Sequence, residues 1–232
     1  TKDSKTMLVP IVSSSRAAKL ICEKWLTNYN YLPDALVVEG PKAGGHLGFK
    51  KEQIEDENYS LEHLIPEVVE VARSYAGQKN IPVIAAGGIS TGKDIARFLK
   101  LGASAAQMGS IFVPTEECDA STEFKEVYIH SGEKDVRIIQ SPVGMPGRAF
   151  DGEFIQSVAE GKKKPQSCPF HCIKTCDYTK SPYCIIKALY NAAIGNLKEG
   201  YAFAGQNAYL ANKISSVKEV IAKLKADFLA FS

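Results

Sequence analysis

One histidine in the sequence directly follows a pair of glycines, a combination that could carry out proton chemistry. His46 stands in the segment Glu39-Gly-Pro-Lys-Ala-Gly-Gly-His-Leu-Gly48. Gly44 and Gly45 have no Cβ, so the backbone there can approach a flat ligand closely. An imidazole titrates near neutral pH and can take a proton from a weak carbon acid. The segment predicts a ligand site with His46 as its base; the alternative is a glycine-rich turn with a solvated histidine.

Two later segments also place glycines directly after an apolar run. The run Ile-Pro-Val-Ile-Ala-Ala ends in Gly87 and Gly88, and about twenty residues further on Gln107 precedes Gly109 and Ser110. Backbone N–H groups at a glycine turn or a helix N-terminus bind anions. Two such turns at the ends of neighbouring strands predict a phosphate grip of the kind found in barrel enzymes.

The stretch from Gly87 to Lys93 also fits the spacing of a nucleotide-binding P-loop. Asp94 follows it, however, where that loop needs Ser or Thr to hold magnesium, and this excludes a P-loop. Ser90 or Thr91 is better interpreted as a helix cap, with Asp94 favourable in the first helical turn.

Four cysteines near the C-terminus form a third group that could carry chemistry. Cys168, Cys172 and Cys176 are spaced by four residues, and Cys184 lies eight residues further on. In a loop they could converge on zinc or an iron–sulfur cluster, with His171 as a further ligand. The spacing is not that of common zinc ribbons, so packed or partly exposed thiols are the favoured interpretation and metal ligation the alternative.

Short apolar runs alternate with helical patterns over the first 115 or so residues, and these elements would position the glycines and His46. Near-continuous apolar runs are typical of parallel strands covered on both faces, and their alternation with helices indicates βαβ units and an α/β fold. The predicted strands are Met7–Val12, Ala35–Val38, Ile81–Ala86 and Ser104–Met108. Helices are predicted over Arg16–Trp25, after Pro66 as a first-turn residue, and over Lys93–Lys100.

The rhythm changes after Pro114, so two regions are predicted, 1–115 and 116–232. The second region is expected to be mainly helical, with a cysteine-rich loop over 166–179. Its predicted elements are a helix over Ser121–His130, a strand over Asp135–Gln140, a turn-rich segment over Ser141–Gly147, a core helix over Tyr183–Asn191, and a helix over Val217–Phe228 with apolar residues at 217, 220, 221, 224 and 228.

Composition excludes several classes of partner. The chain of 232 residues has 28 basic and 26 acidic side chains and a net charge of +2, which gives no electrostatic reason to expect nucleic acid or an anionic membrane. No apolar stretch reaches 18 residues, so no membrane span is expected, and the polar segment Thr1–Thr6 is unlike a secretory signal. Six cysteines without a disulfide pattern favour a reducing, cytoplasmic location.

Three motifs together give a specific resemblance. The patterns E-G-x-x-A-G-G-H-x-G, P-V-I-A-A-G-G-I and A-x-Q-M-G-[ST] resemble the FMN-dependent barrels of the nitronate monooxygenase (2-nitropropane dioxygenase) family and the related flavin-dependent enoyl-acyl-carrier-protein reductases. The resemblance covers roughly residues 5 to 115. The later segments C-P-F-H-C-I-K-T-C and S-P-Y-C-I-I-K-A-L resemble clostridial-type members.

The resemblance implies a cofactor and roles for individual residues. It implies FMN, with His46 as the base or substrate-orienting residue and a small-molecule nitronate as substrate. It also implies that Gly44 and Gly45 lie against the flavin. The ribityl phosphate would be held by Gly87, Gly88, Gln107, Gly109 and Ser110.

Two departures from the family pattern keep alternatives open. No lysine is present in Leu8-Val-Pro-Ile-Val12, where some monooxygenases have one facing the flavin, and this favours an NAD(P)H-dependent reductase of enoyl thioesters or quinones as the alternative. The chain also enters the family pattern at the fifth strand. The expected fold is therefore the C-terminal half of a (β/α)8 TIM barrel, strands five to eight, whose first half comes from further residues or a partner chain. A third alternative is an inactive C-terminal fragment whose cysteine segment binds metal or mediates association.

Overall fold

The computed structural model describes residues 5–172, 174 and 176–232, which form two compact units. The first unit comprises residues 5–42, Lys51–Met108 and Lys223–Ser232, and the second comprises Ala43–Lys50 and Gly109–Ala222. Residues 1–4 of the polar N-terminal segment, and residues 173 and 175 of the predicted cysteine loop, lie outside the described residues. The region boundary at 115 stays a prediction.

A parallel four-stranded sheet forms the centre of the first unit. Its strands run in chain order β1-β2-β4-β5, and their bounds are Ile11–Val12 for β1, Leu36–Glu39 for β2, Val83–Ala86 for β4 and Ala105–Gln107 for β5. All three pairings are parallel. The α/β class with a parallel sheet is therefore confirmed.

Burial differs between the central and the edge strands of this sheet. β2 and β4 are mostly buried, as their continuous apolar runs predict, whereas β5 is largely exposed and Ile11 of β1 is exposed. The prediction that every strand is covered on both faces is thus wrong for the two edges. β1 is also shorter than predicted, because Pro10 has no N–H to contribute to a ladder and the strand begins after it.

Three helices follow strands of this sheet, over Ser15–Tyr29 (α1), Leu61–Arg73 (α2) and Gly92–Lys100 (α3). Pro66 lies inside α2, so its prediction as a first-turn residue is wrong. The apolar face at three- and four-residue spacing begins five residues earlier, and its burial outweighs the one helical hydrogen bond that the proline cannot make. This buried face consists of Leu61, Leu64, Ile65, Val68, Val69 and Ala72.

An antiparallel sheet in the second unit has the order β3-β7-β6, formed by Gly45–His46 (β3), Val136–Gln140 (β6) and Pro146–Phe150 (β7). β6 agrees with its prediction. β7 begins inside the segment 141–147 that was predicted to be turn-rich, and β3 lies in the segment for which a glycine-rich turn was the alternative interpretation, since Pro-Gly and Gly-Gly are common turn dipeptides. In the structure the turn ends at Met145, and the ladder to β6 continues from Pro146.

Helices of the second unit span Thr122–His130 (α4), Glu153–Ala159 (α5) and Ile185–Ala193 (α6). One apolar cluster contains Tyr128 and Phe150, and another contains Phe154, Tyr183 and Tyr201. Tyr183 is buried but precedes α6, so the predicted core helix begins two residues later than expected. These clusters fix β7 and the segment around Tyr201 in place.

The last helix, α7, spans Val217–Phe231. Five residues were predicted to form its packing face, but only Leu224 is buried and Ile221 is 50% exposed. The buried face is therefore narrower than predicted. In the first unit, the Nζ atom of Lys100 donates a hydrogen bond to the Phe231 carbonyl oxygen at the end of this helix, at 2.8 Å.

Across the described part of the chain, no helix is both long and apolar enough to cross a membrane.

Candidate functional site

His46 is held on a short β-strand rather than in a free turn. His46 pairs with Gly147 of β7, and the Leu47 amide donates to the Pro146 carbonyl oxygen at 2.9 Å. Since β7 is also paired with β6 along its whole length, the histidine backbone is fixed by a three-stranded sheet. This gives the imidazole a defined direction.

The imidazole of His46 has a polar partner on one side and an aromatic ring on the other. Its Nε2 atom lies 2.7 Å from the Oγ atom of Ser141, and the ring of Phe203 meets it edge-on with centroids 5.1 Å apart. The side chain is half-buried, and loss of solvation lowers its pKa below the ordinary value because burial disfavours the charged ring. Burial therefore favours the neutral form of the His46 ring.

Ser141 is placed by the turn between β6 and β7. The residue is only 2% exposed, its amide donates to the Met145 carbonyl oxygen at 3.0 Å, and its carbonyl oxygen accepts from the Gly144 amide at 3.1 Å. The Val143 amide donates to the Ser141 Oγ atom at 3.4 Å. Sequence reasoning placed this serine in a turn and gave it no role in the site.

The two glycines before His46 are required for different physical reasons. A Cβ on Gly44 would lie 2.5 Å from the backbone of Ala204 and Gly205. Glycine is therefore required at position 44 because another part of the backbone packs against it. Gly45 has φ +82, a left-handed conformation that favours glycine, and a Cβ there would meet nothing within 4 Å. Of the pair, Gly45 is the residue whose Cα faces open space.

A segment near residue 203 completes the surroundings of His46. Phe203 is bridged to Ala149, and the Ala204 amide donates to the Arg148 carbonyl oxygen at 3.1 Å, so the segment runs beside β7. The Gly205 amide donates to the Ser110 Oγ atom at 3.0 Å. Ser110, one of the predicted phosphate-binding residues, is thereby brought to the segment that carries Phe203.

Arg148 is a further buried polar residue in this region that sequence reasoning missed. It is 4% exposed, lies opposite Gly45 across the β3–β7 ladder, and its Nε atom donates to the Gln206 Oε1 atom at 3.2 Å. In the sequence, the one available signal was a charged residue between nonpolar neighbours, in the run Gly147-Arg-Ala-Phe150.

In the first unit, three strand ends lie side by side. Glu39 of β2 is in register with Ala86 of β4, which is in register with Gln107 of β5. Gly87 and Gly88 leave β4 at this edge with φ of 97° and 74°. The predicted convergence of the two strand ends is therefore present as far as Gln107. Glu39 lies beside them, and burial raises the pKa of its carboxyl group.

The start of α3 follows this edge and has the predicted cap. The Thr91 side chain accepts from the Asp94 amide at 3.1 Å, and Asp94 Oδ2 accepts from the Ser90 and Thr91 amides at 3.1 and 3.0 Å. This capping box confirms the cap interpretation. An internal carboxylate therefore already binds the amides of Ser90 and Thr91.

The predicted residues thus fall into two groups, each with its own unit. Gly87, Gly88 and Gln107 belong to the first unit. The second unit contains the remaining five, namely Gly44, Gly45, His46, Gly109 and Ser110. Gly109 precedes a 3-10 turn over Ser110–Phe112, and a Cβ there would meet nothing within 4 Å.

The four C-terminal cysteines are also brought together within the second unit. Cys168, Cys172, Cys176 and Cys184 line a single cavity, and all four are free thiols. Among the described residues, no three His, Cys, Asp or Glu side chains are arranged as a metal-binding group. His171 is exposed and has a left-handed backbone, with φ 45°.

Comparison with known proteins gives consistent matches. The "Probable nitronate monooxygenase" of Staphylococcus aureus (strain JH9) is 29% identical over 179 residues, which is 77% of this chain and 46% of the relative. FabK from Thermotoga maritima superposes with a TM-score of 0.72 at 27% identity, covering 99% of this chain and 63% of FabK. A nitroalkane oxidase from Streptomyces ansochromogenes has the same fold, with a TM-score of 0.69 at 23% identity over 97% of this chain and 58% of the oxidase.

The chain spans about half the length of the curated relatives that it matches over most of its own length. A family model described as nitronate monooxygenase matches residues 1–227, nearly the whole chain. Together with the Gly-Gly-His segment on β3 and the glycine turns after β4 and β5, this match identifies the chain as a member of the nitronate monooxygenase family.

Proposed function

We propose that this protein is an FMN-dependent oxidoreductase that oxidises nitronates or nitroalkanes with oxygen as the electron acceptor. The observation that carries the proposal is the neutral, half-buried imidazole of His46, which Ser141 holds at 2.7 Å directly beside the open Cα of Gly45. Family membership supports the reaction class.

FMN fits the residues that each unit presents. In the second unit, the open side of Gly45 would accept a flat isoalloxazine ring, whereas the corresponding side of Gly44 is filled by the protein backbone. In the first unit, a positive-φ glycine turn follows β4 beside the end of β5, a backbone arrangement of the kind that binds phosphate. When bound, FMN supplies the electron transfer between substrate and oxygen.

The chain's own residues move the proton. A nitroalkane has an acidic C–H bond next to the nitro group, and the neutral His46 ring would accept that proton. In the tautomer in which Nε2–H donates to the Ser141 Oγ atom, Nδ1 would be the basic nitrogen. Phe203 restricts rotation of the ring by its edge-on contact. A nitronate has already lost this proton, so for that substrate His46 would only orient the charged group.

We further propose that the parallel sheet of the first unit corresponds to strands five to eight of an eight-stranded (β/α)8 barrel. Support comes from the four parallel strands in chain order with helices between them. The partial coverage of FabK, 63% of its length against 99% of this chain, agrees with this placement.

A second candidate is an NAD(P)H-dependent flavin reductase acting on enoyl thioesters or quinones. The observation that favours it is the absence of lysine from residues 8–12, where some monooxygenases of the family have one. The two reactions differ in the electron donor. Anaerobic bleaching of the flavin by propyl nitronate supports the first, and bleaching by NADH or NADPH supports the second.

Replacement of His46 tests the proposed base. We expect His46→Asn to abolish turnover of neutral nitroalkane while the purified protein keeps the yellow colour of bound FMN, measured by its visible absorption spectrum. His130→Asn, at the exposed end of α4, is the matched control and should leave both unchanged. Full turnover by His46→Asn would remove this residue from the mechanism.

A further inference from the structure

Four cysteine side chains surround one small cavity in the second unit. Cys168, Cys172, Cys176 and Cys184 all line it, although they are spread over 17 positions of the chain from 168 to 184. The cavity is otherwise lined mainly by apolar and aromatic side chains, such as those of Val143 and Tyr183. Four thiols that line one cavity can serve as a shared ligand set.

None of the four cysteines is paired in a disulfide. Cys172 and Cys176 are exposed, so an ion could reach them from solvent, whereas Cys168 and Cys184 are half-buried. Cysteine thiolates are the ligands that zinc and softer metal ions prefer.

We propose that Cys168, Cys172, Cys176 and Cys184 are the ligands of a thiolate-bound metal centre, a single divalent ion of the Zn²⁺ type. Four cysteine thiolates are a common tetrahedral ligand set for structural zinc. The cavity has a volume of about 20 Å³, close to that of one water-sized body, so a single ion would need less rearrangement of its lining than a cluster of eight iron and sulfur atoms.

Binding would require only local movement of the chain. The sulfur atoms are not yet gathered into a metal-binding group in this structure and would have to close to about 2.3 Å from the ion. Among the described residues between 162 and 183, none belongs to a helix or a strand. Cys184 directly precedes α6, and its carbonyl oxygen accepts a hydrogen bond from the Ala188 amide at 3.0 Å, so the other three cysteines would have to move towards it. Each cysteine thiol that becomes a ligand gives up its proton, so metal uptake would release up to four protons.

The proposed centre has a structural role that does not depend on the reaction catalysed. Pro142 and Val143 line the same cavity and directly follow Ser141 in the turn between β6 and β7. A bound ion would tie the cysteine segment to this turn. Loss of the metal should therefore loosen both the segment and the turn.

Metal content of the purified protein tests the proposal. In protein purified under reducing conditions without chelator, we expect about one zinc per chain by elemental analysis. Substitution of zinc by Co²⁺ should give the visible absorption bands of tetrahedral cobalt thiolate. The double variant Cys172→Ser/Cys176→Ser, at two exposed positions, should lose both signals, and Cys118→Ser, which lies outside the cavity, should keep them.

Circular dichroism spectra of the parent and the double variant serve as the folding control. The loss of metal is interpreted only if the double variant retains the secondary structure of the parent. The proposal is overturned if folded parent protein contains no zinc and fails to take up added Zn²⁺ in competition with a chromophoric chelator. Equal zinc in the parent and the double variant would also overturn it. Iron with equimolar acid-labile sulfide, lost in the double variant, would overturn the single-ion assignment while retaining the cysteine ligands.

Discussion

His46 combines a lowered pKa with a fixed hydrogen-bond partner, and both follow from its position on β3. The ring is half-buried between Ser141 and Phe203, so water stabilises the imidazolium less than it does in an exposed histidine. A lowered pKa extends the pH range in which the ring is neutral towards lower pH. The consequence can be measured in the pH dependence of the proposed reaction.

We expect the acid side of the pH profile for nitroalkane oxidation to have its midpoint below 6.5, the ordinary histidine value. The neutral ring is the active form, so kcat/KM should be constant above this midpoint and fall as the pH is lowered through the pKa of His46 in the folded protein. Steady-state kinetics over a pH series measure the midpoint. His130→Asn should reproduce the parent profile, and a midpoint above 6.5 would contradict the burial argument.

Ser141 is expected to act as a positioning residue. Replacing it with alanine removes the hydroxyl that holds Nε2, a hydrogen bond with a net value of roughly 0.5–1.5 kcal/mol, so kcat for nitroalkane should fall by roughly 2- to 10-fold. KM should change little, because the serine orients the base and does not bind the substrate.

Ser157→Ala in α5 is the matched control for Ser141→Ala, and it should leave kcat unchanged. A serine with only a structural role would lower stability without altering the tautomer of His46. The pH profile therefore decides between the two roles. An unchanged profile and unchanged kcat in Ser141→Ala would show that the hydroxyl does not position the ring.

At this scale the sequence could indicate His46 but not its neighbours. The Gly-Gly-His pattern is local, so it is visible in ten residues of sequence. Ser141 lies 95 residues from His46, and Phe203 lies further still. Their contacts depend on the pairing of β3 with β7, and a two-residue strand leaves no periodic signal from which that pairing could be predicted.

Elements of the first unit were largely predictable because their signals are local. The start of α3 illustrates this, since Thr91 and Asp94 are three residues apart and form the capping box that their types indicate. α2 shows the limit of such reasoning. Its N-terminus was misplaced because Pro66 is a strong local signal, whereas the buried face that determines the helix is a property of tertiary packing.

Gly44 precedes β3 and packs against the segment that contains Phe203. Replacing Gly44 tests this packing contact. In Gly44→Ala the new Cβ would lie 2.5 Å from the backbone of Ala204 and Gly205, and backbone atoms cannot move aside as a side chain can. We expect a loss of about 1–3 kcal/mol in the free energy of unfolding, measured by urea denaturation.

Gly77→Ala provides the control for this substitution, because a Cβ at Gly77 meets nothing within 4 Å. Its effect should remain within about 0.5 kcal/mol. Equal stability of the two variants would mean that Ala204 and Gly205 do not approach Gly44 as closely as the structure shows. Gly45→Ala separates packing from conformation, since it strains a positive φ without any clash.

For the molecule as a whole, the α/β class and the parallel sheet followed from the order of apolar runs and helical patterns. The antiparallel sheet of the second unit did not, because β3 begins with glycine, β7 begins with Pro-Gly, and these two paired strands lie far apart in the chain. The cysteines were visible as a pattern, yet only the structure shows that all four line one cavity. Non-local pairing is the common reason for these gaps.

The free energy of unfolding at acid pH is a property of the whole molecule. In the first unit, we expect the carboxylate of Asp34 to make a large contribution to its pH dependence. Asp34 accepts hydrogen bonds from the Lys79 Nζ atom at 2.5 Å, from the Leu8 amide at 2.7 Å and from the Tyr31 hydroxyl. The bond from Lys79 is the largest cause of its low pKa, followed by that from Tyr31, and together they lower the pKa from 3.8 to about 2.

The sign of the effect follows from linkage. Because the folded form of Asp34 binds its proton less tightly than the unfolded form, its contribution to stability is fully present above pH 3.8 and is lost as the pH falls towards 2. Asp34→Asn should therefore be less stable than the parent at pH 6, and the difference should shrink between pH 4 and pH 2. Urea unfolding at a series of pH values measures it.

Asp119→Asn, an exposed carboxylate, is the matched control and should follow the parent at every pH. The chain carries 28 basic side chains, so protonation of its carboxylates at low pH leaves a large positive charge that destabilises all variants alike. Only the difference between Asp34→Asn and the parent isolates the contribution of the hydrogen bonds to Asp34. If that difference were constant from pH 6 to pH 2, the hydrogen bonds to Asp34 would not favour its ionised form, and the attachment of Leu8 to the sheet would need another explanation.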